Sequence, residues 1–174
     1  MNRLFEMDSH DYEESYKTFR RPSARAVILK PHRTIALVYS VNNRYYKFPG
    51  GGIKDDEERR TALIREVKEE AGLSVISGTI REFGSVLRRQ KSDKEENTIF
   101  EQENFYYFCD CEEEIGEQNL DDYEAEAGFV LRFVSLDEAI KTNGEYRSDN
   151  QFDQLMIDRE RRVLELIKEV IDED

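Results

Sequence analysis

The stretch from Gly50 to Leu73, GGGIKDDEERRTALIREVKEEAGL, constrains this chain more than any other. Three glycines follow Pro49 and precede a helical pattern. Asp55 is placed to cap the helix, with Glu58 reaching back from the third helical position, and Gly72 stands where a left-handed residue stops a helix. At about 100° per residue, Glu66, Glu69 and Glu70 fall at roughly 0°, 300° and 40°, so three carboxylates share one face. Leu63, Ile64, Val67 and Ala71 form an apolar stripe beside it. Like charges at this spacing destabilise a helix by about a few tenths of a kcal/mol per pair. The face is therefore either an ordinary solvated one or the ligand set of a hard divalent cation bound through oxygen. A glycine-rich turn directly before the helix lets a backbone carbonyl or amide approach a metal or a phosphate closely, which favours the cation.

Around this segment the chain reads as strands and helices without simple alternation. ARAVILK from Ala24 and TIALVYS from Thr34, joined through Pro31-His32-Arg33, read as a hairpin, and Tyr45 to Phe48 as a short aromatic strand. Residues 73–89 contain one or two strands, running into a charged loop read over residues 88–98. An aromatic strand covers Glu103 to Cys111, residues 112–126 read as an acidic loop, and Phe129 to Val134 as another strand. A short helix follows Ser135, and apolar spacing from Phe152 to Ile171 gives a long final helix. The expected fold is an α/β/α sandwich around a central mixed β-sheet. Residues 1–21 are aromatic and patternless and fit a tail, an extra strand or a dimer contact; residues 22–174 form the domain proper.

Hydrophobic residues at 38% allow a core in a chain of 174 residues, and 26 Lys and Arg against 39 Asp and Glu give a net charge of −13. That charge disfavours nucleic-acid backbones and anionic membranes as partners but suits divalent cations. No apolar run is long enough to span a bilayer and the N-terminus lacks a signal peptide's apolar stretch, so a cytoplasmic location is expected. Cys109 and Cys111, two apart in an extended segment, read as a buried pair on one sheet face.

Residues 51–73 resemble the signature of the Nudix hydrolases, G-x5-E-x7-R-E-U-x-E-E-x-G-U with U a bulky aliphatic residue. Gly51, Glu57, Arg65, Glu66, Val67, Glu69, Glu70, Gly72 and Leu73 match every specified position without a gap. The resemblance implies a Nudix-type sandwich and hydrolysis of a pyrophosphate bond in a nucleoside diphosphate linked to another group. It implies Glu66, Glu69 and Glu70 as ligands of Mg²⁺, or Mn²⁺, with the Gly50 carbonyl as a further one. It also implies that Glu57 and Arg65 pair within the helix to fix the carboxylates, and that Glu66 or Glu69 is the general base. Glu124 and Glu126 are candidates for a base outside the signature.

The substrate is less constrained. Arg88, in the charged loop, is a candidate contact to phosphate or ribose, and the aromatic side chains Tyr46, Phe48, Phe105 and Tyr107 are candidates to stack a base. A small nucleotide derivative is the expected partner, with a homodimer through the N-terminal segment or the last helix. The alternative is a nucleotide sensor of the same fold without turnover, which the intact glutamate set disfavours.

Overall fold

The computed structural model describes residues 1–173. Twelve strands, β1 (Arg3–Asp8), β2 (Lys17–Arg20), β3 (Ser23–Val27), β4 (Leu29–Lys30), β5 (Thr34–Ser40), β6 (Tyr45–Lys47), β7 (Gly50–Gly52), β8 (Leu73–Val75), β9 (Arg81–Lys91), β10 (Thr98–Phe108), β11 (Cys111–Ile115) and β12 (Phe129–Ser135), are joined by four helices. The helices are α1 (Arg59–Ala71), α2 (Asp122–Ala127), α3 (Leu136–Glu145) and α4 (Gln151–Glu173).

The central sheet runs β1-β9-β10-β3-β7, with β2 also paired to β10. It is mixed, since β1 is parallel to β9, β9 antiparallel to β10, β2 and β3 parallel to β10, and β7 antiparallel to β3. Pro22 explains why β2 and β3 are separate: a proline cannot donate to the ladder, so pairing with β10 stops after Arg20 and resumes at Ser23. A second sheet holds β12-β5-β4 with β6 on β5, and β8 pairs β11. Period-two alternation divides β3 between two cores. Ala24 and Ala26 pack with Ala62, Leu63, Val67 and Ala71 of α1, while Val27 joins Phe48, Val86 and Tyr106 against Val163, Leu164 and Ile167 of α4. The result is an α/β/α sandwich.

Several sequence expectations change here. The apolar run from Ala24 is not one hairpin strand: it breaks at Ile28, with β3 in the central sheet and β4 turning back on β5. The supposed loop at 88–98 shrinks to residues 92–97, because β9 and β10 form a long antiparallel ribbon. Within 112–126, expected as loop, β11 and α2 form. Residues 1–21 supply β1 and β2 to the central sheet. Cys109 and Cys111 are both buried thiols. No helix among the described residues is long and apolar enough to cross a membrane.

Candidate active site

The helix that carries the carboxylates begins later than its sequence suggests. Glu58, not Asp55, is the residue before the first turn of α1, and its side chain makes no capping bond. The reason lies in Glu57, which stays outside the helix in the preceding turn and accepts from Lys54 N at 2.9 Å. From there it takes both guanidinium prongs of Arg65, Nε to Oε1 and Nη2 to Oε2, each at 2.8 Å. The Glu57–Arg65 pair therefore bridges loop to helix rather than lying within the helix. Arg65 further donates from Nη2 to Gly52 O at 3.1 Å, and Nη1 reaches Glu69 Oε2 at 3.3 Å and Glu66 Oε1. One planar cation thus fixes the glycine strand and two carboxylates together. At the other end Gly72, with φ 71°, closes the helix by donating to Lys68 O.

The three carboxylates of α1 do not share one environment. Glu70 turns toward the sheet and is fully buried, with neither oxygen in an aligned hydrogen bond. Lys47 Nζ lies 3.1 Å from Glu70 Oε1 as an ion pair, itself buried against the ring of Phe129 at 4.6 Å. Burial pushes the Glu70 carboxyl up to about 7, partly opposed by Lys47 and Arg25. Glu66 is half-buried, and Glu69 is more exposed, held by Arg65. The carboxylates that converge are Glu66, Glu70 and Glu124, whose ligand oxygens lie within 4.8 Å of one another. Glu124 comes from the first turn of α2, where Asp121 Oδ1 accepts from Glu124 N at 2.8 Å and Glu124 Oε2 accepts from Asp121 N at 3.0 Å. Burial raises the Glu124 carboxyl as well.

The backbone requires glycine at position 50, and a side chain at position 51 would displace the Glu66 carboxylate. Gly50 has φ 137°, and a β-carbon there would sit 2.1 Å from Ala24 O; at Gly51 it would sit 2.1 Å from Glu66 Oε2. The Gly50 carbonyl accepts from Arg25 Nη1 at 2.8 Å, which leaves its second lone pair for a cation. Behind the strand, Glu160 of α4 accepts from Phe48 N at 2.6 Å and from Arg159 Nη2 at 2.7 Å, pinning the chain just before Pro49.

The family model for the NUDIX domain matches residues 19–155. The chain belongs to the Nudix family. Among curated proteins it is similar to the RNA pyrophosphohydrolase of Hahella chejuensis (strain KCTC 2396), 34% identical over 64 residues, which are 34% of this chain and 40% of that protein. It is also similar to the RNA pyrophosphohydrolase of Marinomonas sp. (strain MWYL1), 38% identical over 53 residues, or 30% of this chain and 33% of the relative. The matched stretch thus spans less than half the length of either relative. Among solved structures, a NUDIX hydrolase from Nitrosomonas europaea superposes with a TM-score of 0.54 at 18% identity, covering 81% of this chain and 89% of that one. A MutT NUDIX hydrolase from Burkholderia pseudomallei gives 0.50 at 17% identity, covering 68% and 85%. These two share the fold.

Three residues expected at the Nudix site lie elsewhere. Phe48 is fully buried, edge-on to Tyr106 at 5.3 Å, so its ring is core and cannot stack a base. Arg88 is 1% exposed: β9 continues past it, its Nη2 donates to Phe152 O at 2.6 Å, and its guanidinium packs 4.2 Å from the Phe152 ring, tying β9 to α4. Glu126 is exposed, because two residues along a helix is about 200° of rotation and carries it away from the face of Glu124. Tyr46, Phe105 and Tyr107 are buried as well. Conversely, Lys47 and Arg25 join the site from outside the signature. The pattern that reveals them is a cation inside an apolar strand, Lys47 between Tyr46 and Phe48, and Arg25 between Ala24 and Ala26. Glu160 similarly interrupts the apolar stripe of α4.

The clamp on Glu57 has a titration consequence. Its hydrogen bonds from Arg65 hold the carboxyl well below the usual range, at about 2. A depressed carboxyl stabilises the fold above its unfolded pKa of about 4.3, and that contribution is lost as pH falls through the folded value. Chemical denaturation of wild type and Glu57→Gln should therefore differ by a constant amount above about pH 5 and converge toward about pH 2. A difference that stays flat across this range would show that the clamp does not couple to folding.

Proposed function

We propose that this protein hydrolyses a pyrophosphate bond in a nucleoside diphosphate linked to another group, using Mg²⁺ or Mn²⁺. The observation that carries the reading is Glu70: a wholly buried carboxylate whose one close cation among the described residues is the Lys47 ammonium, 3.1 Å from Oε1, set against Glu66 and Glu124. One ammonium against three converging carboxylates leaves negative charge that is costly to bury unless a further cation joins them. Oxygen-only donors match a hard divalent cation. Glu66, Glu70, Glu124 and the Gly50 carbonyl would hold it. When bound, such a cation screens the pyrophosphate charge and makes a nearby water easier to deprotonate.

The remaining roles belong to the chain. Glu69, partly exposed and oriented by Arg65, accepts the proton of the attacking water. The water oxygen bonds to phosphorus, the bridging P–O bond breaks, and two phosphate-ended products leave. Arg65 keeps Glu66 and Glu69 in register, as the outer partner of the ligands. Lys47 supplies a positive charge beside Glu70 that offsets the mutual repulsion of three close carboxylates.

The test is nucleotide and phosphate release from ADP-ribose, NADH, dinucleoside polyphosphates, nucleotide sugars and nucleoside triphosphates, with Mg²⁺ and with EDTA. Because the curated relatives bear the name RNA pyrophosphohydrolase, a 5′-triphosphate oligonucleotide belongs in the panel; the net charge of −13 favours the small substrates over it. Cleavage of one compound, abolished by EDTA, is the expected result. Full activity in EDTA would overturn the mechanism, and tight nucleotide binding with no turnover across the panel would favour a sensor.

A further inference from the structure

A group of aromatic rings adjoins the carboxylates and has no part in the chemistry above. Phe129, whose ring lies 4.6 Å from Lys47 Nζ, stands at its centre. Tyr45 meets Phe129 nearly edge-on at 6.4 Å and Tyr146 at 5.5 Å, and Tyr123 meets Phe129 at 6.2 Å with the planes at 90°. Contacts therefore run without a break from Glu70 through Lys47 and Phe129 to Tyr123.

Tyr123 differs from the other three rings because it is 56% exposed, while Tyr45 and Phe129 are buried. The largely exposed aromatic side chains among the described residues are Phe19, Tyr123 and Phe133, and Tyr123 is the one that immediately precedes a converging carboxylate, Glu124. Its place is fixed: the reciprocal hydrogen bonds of Asp121 and Glu124 lock the turn of α2 that bears it. A rigid ring with a solvent-facing surface loses little conformational entropy when a planar group stacks on it. Behind it, the buried Tyr45 hydroxyl faces the Tyr123 hydroxyl, so Tyr45 supports the ring from the side away from solvent.

We propose that Tyr123, backed by Phe129, Tyr45 and Tyr146, is the platform on which the nucleobase of the substrate stacks while its phosphates lie at Glu66, Glu70 and Glu124. This rests on the nucleotide reading above. It places nucleoside selection on α2, the element that also delivers Glu124, so one short helix serves both ends of the substrate.

Titration calorimetry of the full chain in Mg²⁺ with AMP, GMP, CMP and UMP, against ribose 5-phosphate, reads the platform directly. The preferred nucleotide is expected to bind about tenfold or more tighter than ribose 5-phosphate, as one stacked base would give. Tyr123→Ala should bring the two within about twofold, and Tyr123→Phe should keep the difference, since the ring and not its hydroxyl does the stacking. An exposed position makes both variants compatible with folding. A nucleotide preference unchanged in Tyr123→Ala, or ribose 5-phosphate binding as tightly as every nucleotide in the wild type, would overturn the proposal. If the preference depends on Tyr123 while no compound of the hydrolysis panel is cleaved, hydrolysis fails and the platform stands.

Discussion

Glu70→Gln is expected to lower turnover by more than about 100-fold, because changes to groups one step removed from a bound cation already cost about 10–100-fold and Glu70 is placed to be a ligand itself. The amide is nearly isosteric, and its oxygen can still face Lys47. It also removes one of three close negative charges, so stability in EDTA should change little. The contrast comes on adding Mg²⁺. A ligand present at about 100 times its Kd stabilises the folded state by about 2.7 kcal/mol, which for a chain of this size raises Tm by roughly 5–10 °C. Wild type should show that rise and Glu70→Gln should not. A variant that melts well below wild type in EDTA would make Glu70 a structural residue; one that keeps both turnover and the Mg²⁺ shift would remove it from the site.

Gly50→Ala should give the largest loss of stability of any single methyl group added at the site. The new carbon would lie 2.1 Å from a backbone oxygen, Ala24 O, and 3.0 Å from Arg25 Cα, at a φ of 137° that side-chain-bearing residues rarely adopt. Neither neighbour can yield without breaking the ladder in which Ala24 opposes Gly51 and Arg25 opposes Gly50. A loss above about 4 kcal/mol is expected, or a fall in Tm on the order of 10 °C. Gly78→Ala is the matched control, since a β-carbon there meets nothing within 4 Å, and it should melt within about 2 °C of wild type. Equal melting of the two alanine variants would mean that β7 is not held as described.

What the sequence made legible was whatever local spacing alone decides. The end of α1 at Gly72, the Ser135 cap with its bond from Glu138 N at 3.2 Å, and the apolar stripe of α4 all follow from patterns within a few residues. What stayed hidden was decided by partners distant in the chain. Arg88 and Arg89 look like loop residues until Glu101 stands across the ribbon from Arg89, with an ion pair at 3.0 Å, and Phe152 caps Arg88. CEEEI looks like loop because its acids face solvent, yet an edge strand tolerates charge and β11 pairs β8. At the site, the helical face predicted three carboxylates together, whereas the set that converges exchanges Glu69 for Glu124. A helical wheel cannot know which side of α1 meets the sheet, nor which later turn comes to lie beside it.

The parallel seating of the N-terminal strands bears on the order in which the molecule can assemble. Arg3 pairs opposite Ser85, and Lys17 opposite Thr98, so the segment bearing β1 and β2, synthesised before the ribbon, has no sheet partner until the β9–β10 ribbon exists. Leu4 and Phe5, which finish the α4-side core, stay uncovered in the nascent chain through that interval. Closing so long a loop is entropically slow compared with zipping the ribbon itself. The ribbon is therefore the template, and β1, which precedes it in the chain, docks after it.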